Sequence, residues 1–390
     1  MSARLRLPAA RTTVVSLGVL LALPVVGLLT LSGAEAANTQ PNCGDTITTD
    51  TTLDSDLVDC PNNGIVIGAD DITLDLNGHV IDSDGTPFSG CHPRREVCDV
   101  GVVNDDHDGI TIMQGSVREF DGGIGMGGSR HRLLNVSASR NRFYGLGLFE
   151  SARSLVRDSS ATHSTARDEG VGMILFGSRH VRIVDNKFRH NAHAGIVAPE
   201  VKGNSIKRNI FERNDDEGIL VEGGDRNQIR HNRFVRNGGG ITLGPGSRNV
   251  IAHNRISRGR DGIRVEKGHG NLVADNVVVD AGRAGIRLGI PEPLLGGADS
   301  VVRDNLVKGS RVDGYLVGKK DNRSLLRRNV AKGSGDDGFD VQSRTTKLTK
   351  NRARHNGDLG IEAVHGTKDG GGNRASGNGD PRQCVHVKCR

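Results

Sequence analysis

Tryptophan is absent from these 390 residues, tyrosine occurs twice, and aromatic residues make up only 3% of the chain. A conventional globular core of large side chains is hard to build from this composition; a stack of thin repeats is not. The same shortage argues against a protein that grips neutral sugar chains, which usually stack on Trp or Tyr. No C-x-x-C pair occurs, so the six cysteines do not point to a metal site. Only four methionines are present, one of them the initiator. His190, His231, His253 and His355 each recur before Asn inside a repeat, which is not the clustered ligand set that copper delivery needs. P-loop, nucleotide-binding and Ser-His-Asp signatures are missing. After the first 37 residues no apolar run is long enough to span a membrane.

What is present begins with an export signal. Arg4, Arg6 and Arg11 precede an apolar run from Val14 to Leu31, followed by Gly33-Ala34-Glu35-Ala36-Ala37. This reads as a secretory signal peptide over residues 1–37, with a retained membrane anchor as the alternative. Removing it takes away three Arg and one Glu, so 52 basic and 46 acidic residues become 49 and 45 and the net charge falls from +6 to +4. That balance permits an anionic partner without demanding one. In an exported chain the six cysteines suggest disulfides, and they fall as local pairs: Cys43/Cys60, Cys91/Cys98 and Cys384/Cys389.

Self-similarity dominates the rest. A glycine opens each unit at Gly64, Gly101, Gly123, Gly145, Gly170, Gly195, Gly218, Gly240, Gly262, Gly285, Gly314, Gly338 and Gly360, mostly 22 to 25 residues apart. The longer steps, 64 to 101 and 285 to 314, locate insertions. An apolar residue follows each glycine, and most units are apolar again two residues on, with a free position between. That is strand alternation. Asn186, Asn209, Asn232, Asn254, Asn276, Asn305, Asn329, Asn351 and Asn373 form a second register. Asn tolerates left-handed backbone, and stacked amides can form a hydrogen-bonded ladder. Leucine-rich repeats have a similar period, but their L-x-x-L-x-L pattern is missing. The expected fold is all-β, a single-stranded parallel β-solenoid of thirteen coils. At about 4.8 Å per coil the rod is roughly 60 Å long.

Over residues 43–380 the chain resembles secreted right-handed parallel β-helix proteins of the pectin-lyase-like superfamily, and "CGDTITTDTTLDSDLVDCPNNGIVIGADDITLDLNGHVID" resembles their capping segment and first coils. The resemblance implies a cap at 38–63, a β-helix at 64–380 with an inserted loop at 83–100, and a disulfide-bearing tail at 381–390. The architecture hosts lyases, hydrolases, epimerases and adhesins, so it does not fix a function.

Four places could carry chemistry. Gly125, Gly147 and Gly172 fall at the outward position of three consecutive coils and would bare the backbone to a ligand, flanked by Arg142, Tyr144 and Phe149. A covering loop is the alternative use of that stripe. Later on the same face Arg264 and Arg287 share one outward offset, while Glu222 and Glu266 share the next. Paired arginines suit the carboxylates of a uronate chain, although local ion pairs on a solvated surface explain them too. An acidic stripe precedes the opening glycines, including Asp168, Asp215, Asp216 and Glu217. Converging carboxylates can bind Ca2+, the cation that pectate-lyase-like enzymes use; ordinary Asp-Gly turns read the same way. Finally, Asn104-Asp105-Asp106-His107-Asp108-Gly109 is similar to the Asp-Pro-His-Asp/Glu signature of alginate C5-epimerases, with Asp106 where that pattern has Pro. His107 between Asp106 and Asp108 could serve as an acid–base group.

Two functions fit. One is an extracellular enzyme acting on an acidic polysaccharide by β-elimination or C5 epimerisation. The other is a non-catalytic rod for adhesion or polysaccharide binding. Either way the expected molecule is a secreted monomer with no nucleic-acid partner and no membrane attachment after signal cleavage.

Overall fold

The computed structural model describes residues 40–86, 91, 97–289 and 297–390. The expected export signal, half of the 83–100 insertion and part of the 285–314 insertion lie outside these residues. Among the described residues there is no helix. Most coils are three short strands joined by tight corners, one strand to each of three walls, as in Glu217–Glu222, Gln228–Arg230 and Arg233–Val235. Thr111–Arg118 and Arg132–Ser139 each run as one strand through the corner between the second and third walls. Every strand pairs in parallel with its counterpart one repeat away, for example Ile196 with Ile219, Ile219 with Ile241 and Ile241 with Ile263. The first wall is a sheet of fifteen strands. Thirteen follow the opening glycines; the other two are Asp45–Ile47 before them and Cys384–Val385 after them. Disulfides join Cys43 to Cys60, Cys91 to Cys98 and Cys384 to Cys389, the three local pairs expected.

The core is thin because the side chains that fill it are. Ile219, Ile241, Ile263 and Ile286 are 0 to 1% exposed and stack as one column. Where aromatic residues enter, they stack on their own kind: Phe188 on Phe211 at 5.2 Å, Phe211 on Phe234 at 4.7 Å, and Tyr315 on Phe339 at 4.5 Å. Slipping one strand by one residue would turn such a column outward, so the apolar pattern itself fixes the register.

The asparagine register differs from expectation by one residue. The left-handed backbone belongs to the residue before each Asn: Arg208 (φ 56°), His231 (φ 56°) and Asp275 (φ 56°). The Asn itself points inward and is buried. Asn232 accepts from the backbone N–H and Nδ2 of Asn209, at 2.9 and 3.1 Å. Its own Nδ2 donates to the Ile206 carbonyl and to Asn254 Oδ1, at 2.9 and 3.1 Å. Its hydrogen-bonding capacity is thus filled without water. The structure also holds two further ladders of this kind, Asn191–Asn214–Asn237 and Asn204–Asn227–Asn249–Asn271. Each turns a different corner of the coil.

Candidate functional site on the outer face of the first wall

The strands of the fifteen-stranded sheet expose a continuous outward ladder: Gly125, Gly147, Ile174, Val197, Leu220, Thr242, Arg264, Arg287, Leu316, Asp340 and Glu362. Gly172 is not on it. Leu146 pairs with Met173, so Gly172 lies beside the opening Gly145 and is itself the opener of its coil in place of Gly170. A Cβ there would come 2.6 Å from the Gly195 carbonyl oxygen and 2.8 Å from Asn191 Nδ2, which is why this position needs glycine.

The two remaining glycines do not leave bare backbone. A Cβ on Gly125 would come 2.8 Å from the Tyr144 hydroxyl, and one on Gly147 would come 2.6 Å from the Phe149 ring. The rings therefore fill the space that the glycines vacate. Tyr144 is 7% exposed, meets Phe149 edge-on at 5.7 Å, and packs with Val171, Ala194, Phe143 and Val97. Val97, a described residue of the insertion, packs against this end. Arg142 stacks over the Phe143 ring at 4.4 Å and reaches Asp121 at 3.3 Å.

Farther along, the face becomes charged. Arg264 is held by Glu217 at 3.0 Å and Glu266 at 3.2 Å, and Glu217 also accepts from the Thr242 hydroxyl at 3.1 Å. Glu222 is exposed two rungs from Glu266, with Gly244 between them. Arg287 is different. It is only 8% exposed, no hydrogen bond within the chain engages its guanidinium, and its nearest carboxylate, Asp261, is 3.9 Å away. Burial pulls its pKa below the ordinary arginine value, and Arg264 and Arg283 add to that, against the opposing charge of Asp261.

Next on the rod lie carboxyls. Asp313 and Asp337 occupy the position just before the opening glycine on adjacent coils. Each turns one oxygen to the next backbone: Asp337 N–H donates to Asp313 at 3.3 Å, and Leu359 N–H donates to Asp337 at 2.8 Å. Burial, then repulsion from Asp340, pushes Asp313 up to about 7. Burial, then the hydrogen bond with Glu362, pushes Asp337 up to about 8. Asp340 is raised as well, by burial, against the amide that Gln342 donates at 2.7 Å. The sequence displays the pattern, since Asp337-Gly338-Phe339-Asp340 and Gly360-Ile361-Glu362 fall on successive coils. It does not display burial, which is what makes these groups hold protons.

The expected calcium ligands do not converge. Asp168 is exposed beside Arg167, Asp216 meets His193 at 3.4 Å, Glu217 is committed to Arg264, and Asp215 is a turn residue bonded through its backbone. Turns two coils apart point their carboxylates at local partners instead of at one another. Among the described residues, the group whose oxygens do lie within 4.8 Å of one another is Asp336, Asp337 and Asp358. Three carboxylates suit a hard cation in charge and donor type.

The His107 segment forms a capped turn. Asn104 Nδ2 donates to the His107 and Gly127 carbonyls at 2.8 and 2.7 Å, and Asn104 Oδ1 accepts from His107 N–H at 3.1 Å. His107 Nδ1 faces Asp70 at 3.2 Å, and Asp108 accepts from Ser129 N–H at 2.6 Å and Arg130 at 3.1 Å. Asp106 is exposed. Seven rungs separate this turn from Arg264, about 34 Å at ~4.8 Å each. His107, Asp106 and Asp108 therefore cannot share one reacting atom with Arg264 and Arg287.

Comparison with family models matches the right handed beta helix region at residues 60–244, 172–314 and 251–386. The chain belongs to the right-handed β-helix family. A search of curated proteins found no match. Among solved structures, this β-helix is similar to DFA-IIIase from Arthrobacter chlorophenolicus A6 without its lid in complex with GF2. They share 13% identity over 72% of this chain and 82% of that one, with a TM-score of 0.54. The periplasmic alginate epimerase AlgG shows 12% identity over 84% of this chain and 74% of its own, with a TM-score of 0.43. The Dettilon tailspike protein shows 14% identity over 87% and 61%, with a TM-score of 0.47. At these identities the likeness speaks to the fold.

Proposed function

We propose that this β-helix protein works outside the cytoplasm on a uronate-bearing polysaccharide, bound across the charged half of the first wall between Glu217 and Glu362. The observation that carries the reading is Arg287: a nearly buried guanidinium with no hydrogen bond to its own chain. A nearly buried cation that makes no hydrogen bond and has only Asp261 at 3.9 Å is costly, and a planar carboxylate is its natural complement. Three disulfides support an oxidising location. The acidic-polysaccharide enzymes among the structures of similar fold are compatible with this reading but do not argue for it.

The chemistry is β-elimination or C5 epimerisation, both of which begin with loss of the proton beside the uronate carboxylate. Arg287 pairs with that carboxylate and stabilises the charge that develops as the proton leaves. An ionised carboxylate of the Asp340–Glu362 pair takes the C5 proton. In elimination the C4–O bond then breaks as the C4–C5 double bond forms, and the leaving oxygen collects a proton from Asp337 or Asp313, which hold theirs near neutral pH. In epimerisation the same acid returns a proton to C5 from the opposite face. A hard cation bound by Asp336, Asp337 and Asp358 would displace the Asp337 proton, add charge neutralisation at the uronate and leave Asp313 as the acid.

The test is incubation of the disulfide-intact protein with polygalacturonate, alginate and related chains, with and without Ca2+. Absorbance of unsaturated uronates reports elimination, and NMR of the recovered polymer reports epimerisation. Silence in both assays across the panel removes the enzyme and leaves a binding rod.

A further inference from the structure

We infer that the corner between the second and third walls carries a separate binding site for an uncharged, hydroxyl-rich oligosaccharide. A groove of about 810 Å³ runs along that corner over five successive coils, from Asn77 to Lys187. Four steps of ~4.8 Å make it roughly 19 Å long. Its floor is a register of small outward side chains, Ser116, Ser137 and Ser160. Its rim is the left-handed corner ladder of Gln114 (φ 60°), Asn135 (φ 52°) and Asp158 (φ 53°).

On later coils the same two ladders are filled and satisfied from within. The floor position becomes Ile210, Arg233 and Arg255. The rim position becomes Arg208, clamped to Asp185 at 2.8 and 2.7 Å, and then His231 stacked on His253 at 4.8 Å. Within the groove Ser160 bonds Ser137 at 3.1 Å, but the Gln114 and Asn135 amides and the Ser116 hydroxyl have no partner in the chain. Small floor, free rim and open volume thus coincide on the same coils and end together.

The chemistry of the lining selects the ligand class. Amides and hydroxyls both donate and accept, as sugar hydroxyls do. The charges sit at one end: Asp158 beside Arg157 at 3.1 Å, Asp185 on Arg208, and the exposed Lys187, which has no ion pair. No guanidinium is free there to take a carboxylate. A polyanion finds its complement at Arg287 on the other wall, whereas the groove suits a neutral chain. Binding rests on hydrogen bonds without aromatic stacking, so millimolar affinity is expected.

Isothermal titration of the whole disulfide-bonded chain tests this with neutral gluco-, manno-, xylo- and fructo-oligosaccharides, and with oligogalacturonate as the charged probe. The expected result is binding of at least one neutral chain. Ser137→Arg, which drives a long side chain into the floor, should weaken it at least about tenfold, and Asn135→Ala about threefold to tenfold. Arg287→Ala should leave it unchanged. Asn135 is exposed, so its variant keeps the test open if Ser137→Arg fails to fold. The site is refuted if no neutral chain binds at millimolar concentration, if Asn135→Ala and a folded Ser137→Arg both bind as tightly as the parent, or if Arg287→Ala abolishes binding. The uronate reading stands or falls separately, on the charged probe.

Discussion

Between Gly122 and Pro199 the outer face of the fifteen-stranded sheet is apolar and closed on itself; between Glu217 and Glu362 it is charged and incompletely neutralised. Both stretches share one strand geometry and one register, so the backbone does not distinguish them. The difference lies in what each outward position meets. In the first stretch Tyr144 and Phe149 fold back onto glycines and bury their own area. In the second, Arg264 finds two carboxylates while Arg287 finds none within hydrogen-bonding distance, and Asp313 and Asp337 are desolvated beside like charges. Satisfaction marks scaffold, and its local failure marks the place where a ligand completes the structure.

That contrast can be broken experimentally. The largest effect is expected for Asp337→Asn. The amide oxygen still accepts the Leu359 N–H, but the acid is gone, so kcat for uronate elimination should fall about 10²- to 10⁴-fold. An unchanged rate would move the acid elsewhere. Tyr144→Ala should cost about 3 kcal/mol in denaturant unfolding and leave activity within about twofold. A selective loss of activity would instead place that end of the face in the substrate path. Arg287→Ala should raise KM for an acidic chain by roughly 10- to 100-fold, with Arg287→Lys recovering only part. Loss of protein stability in place of KM would make Arg287 a structural ion.

A pH effect sharpens the same comparison. Asp313 and Asp337 are raised from the ordinary 3.8 to about 7 and about 8, so the folded state holds protons that the unfolded state releases. Their influence is nil below about pH 4, and stability declines as pH rises from there to about 8. Thermal unfolding across this window should show the decline, and Asp313→Asn with Asp337→Asn should flatten it. The smallest effect is expected for Glu266→Gln, which removes one partly exposed partner of Arg264 and should change stability by less than about 1 kcal/mol.

Much of the rod was legible in the sequence because a parallel solenoid repeats its own grammar: glycine, inward apolar, free residue, inward apolar. The disulfides were legible because their partners are close in the chain. Other parts were not. Asp168-Glu169-Gly170-Val171-Gly172-Met173 offers two possible openers, and only the pairing of Met173 with Leu146 and the close Gly195 carbonyl decide for Gly172. The second and third amide ladders were hidden because serines such as Ser164, Ser310 and Ser334 interrupt them. At the site, Arg264 and Arg287 look equivalent in the repeat. The difference between a braced and an unbraced guanidinium depends on residues two coils away, which no single coil's sequence displays.

The amide ladders give the rod an electrical direction. In each, Oδ1 accepts from the N-terminal neighbour and one Nδ2 hydrogen goes to the C-terminal one, as from Asn209 to Asn232 and from Asn232 to Asn254, while the other Nδ2 hydrogen returns to a carbonyl of the preceding coil. Dipoles aligned head to tail sum along their axis, as peptide dipoles do in a helix. The alternating backbone bonds between coils run both ways, as Ile241 N–H to Gly262 and Arg255 N–H to Asn232, and so largely cancel. The side chains do not. The positive pole of the stack therefore lies toward the C-terminal coils, the same end at which Asp336, Asp337, Asp358 and Glu362 gather, and a polyuronate crossing the face would meet a field that differs from one of its ends to the other.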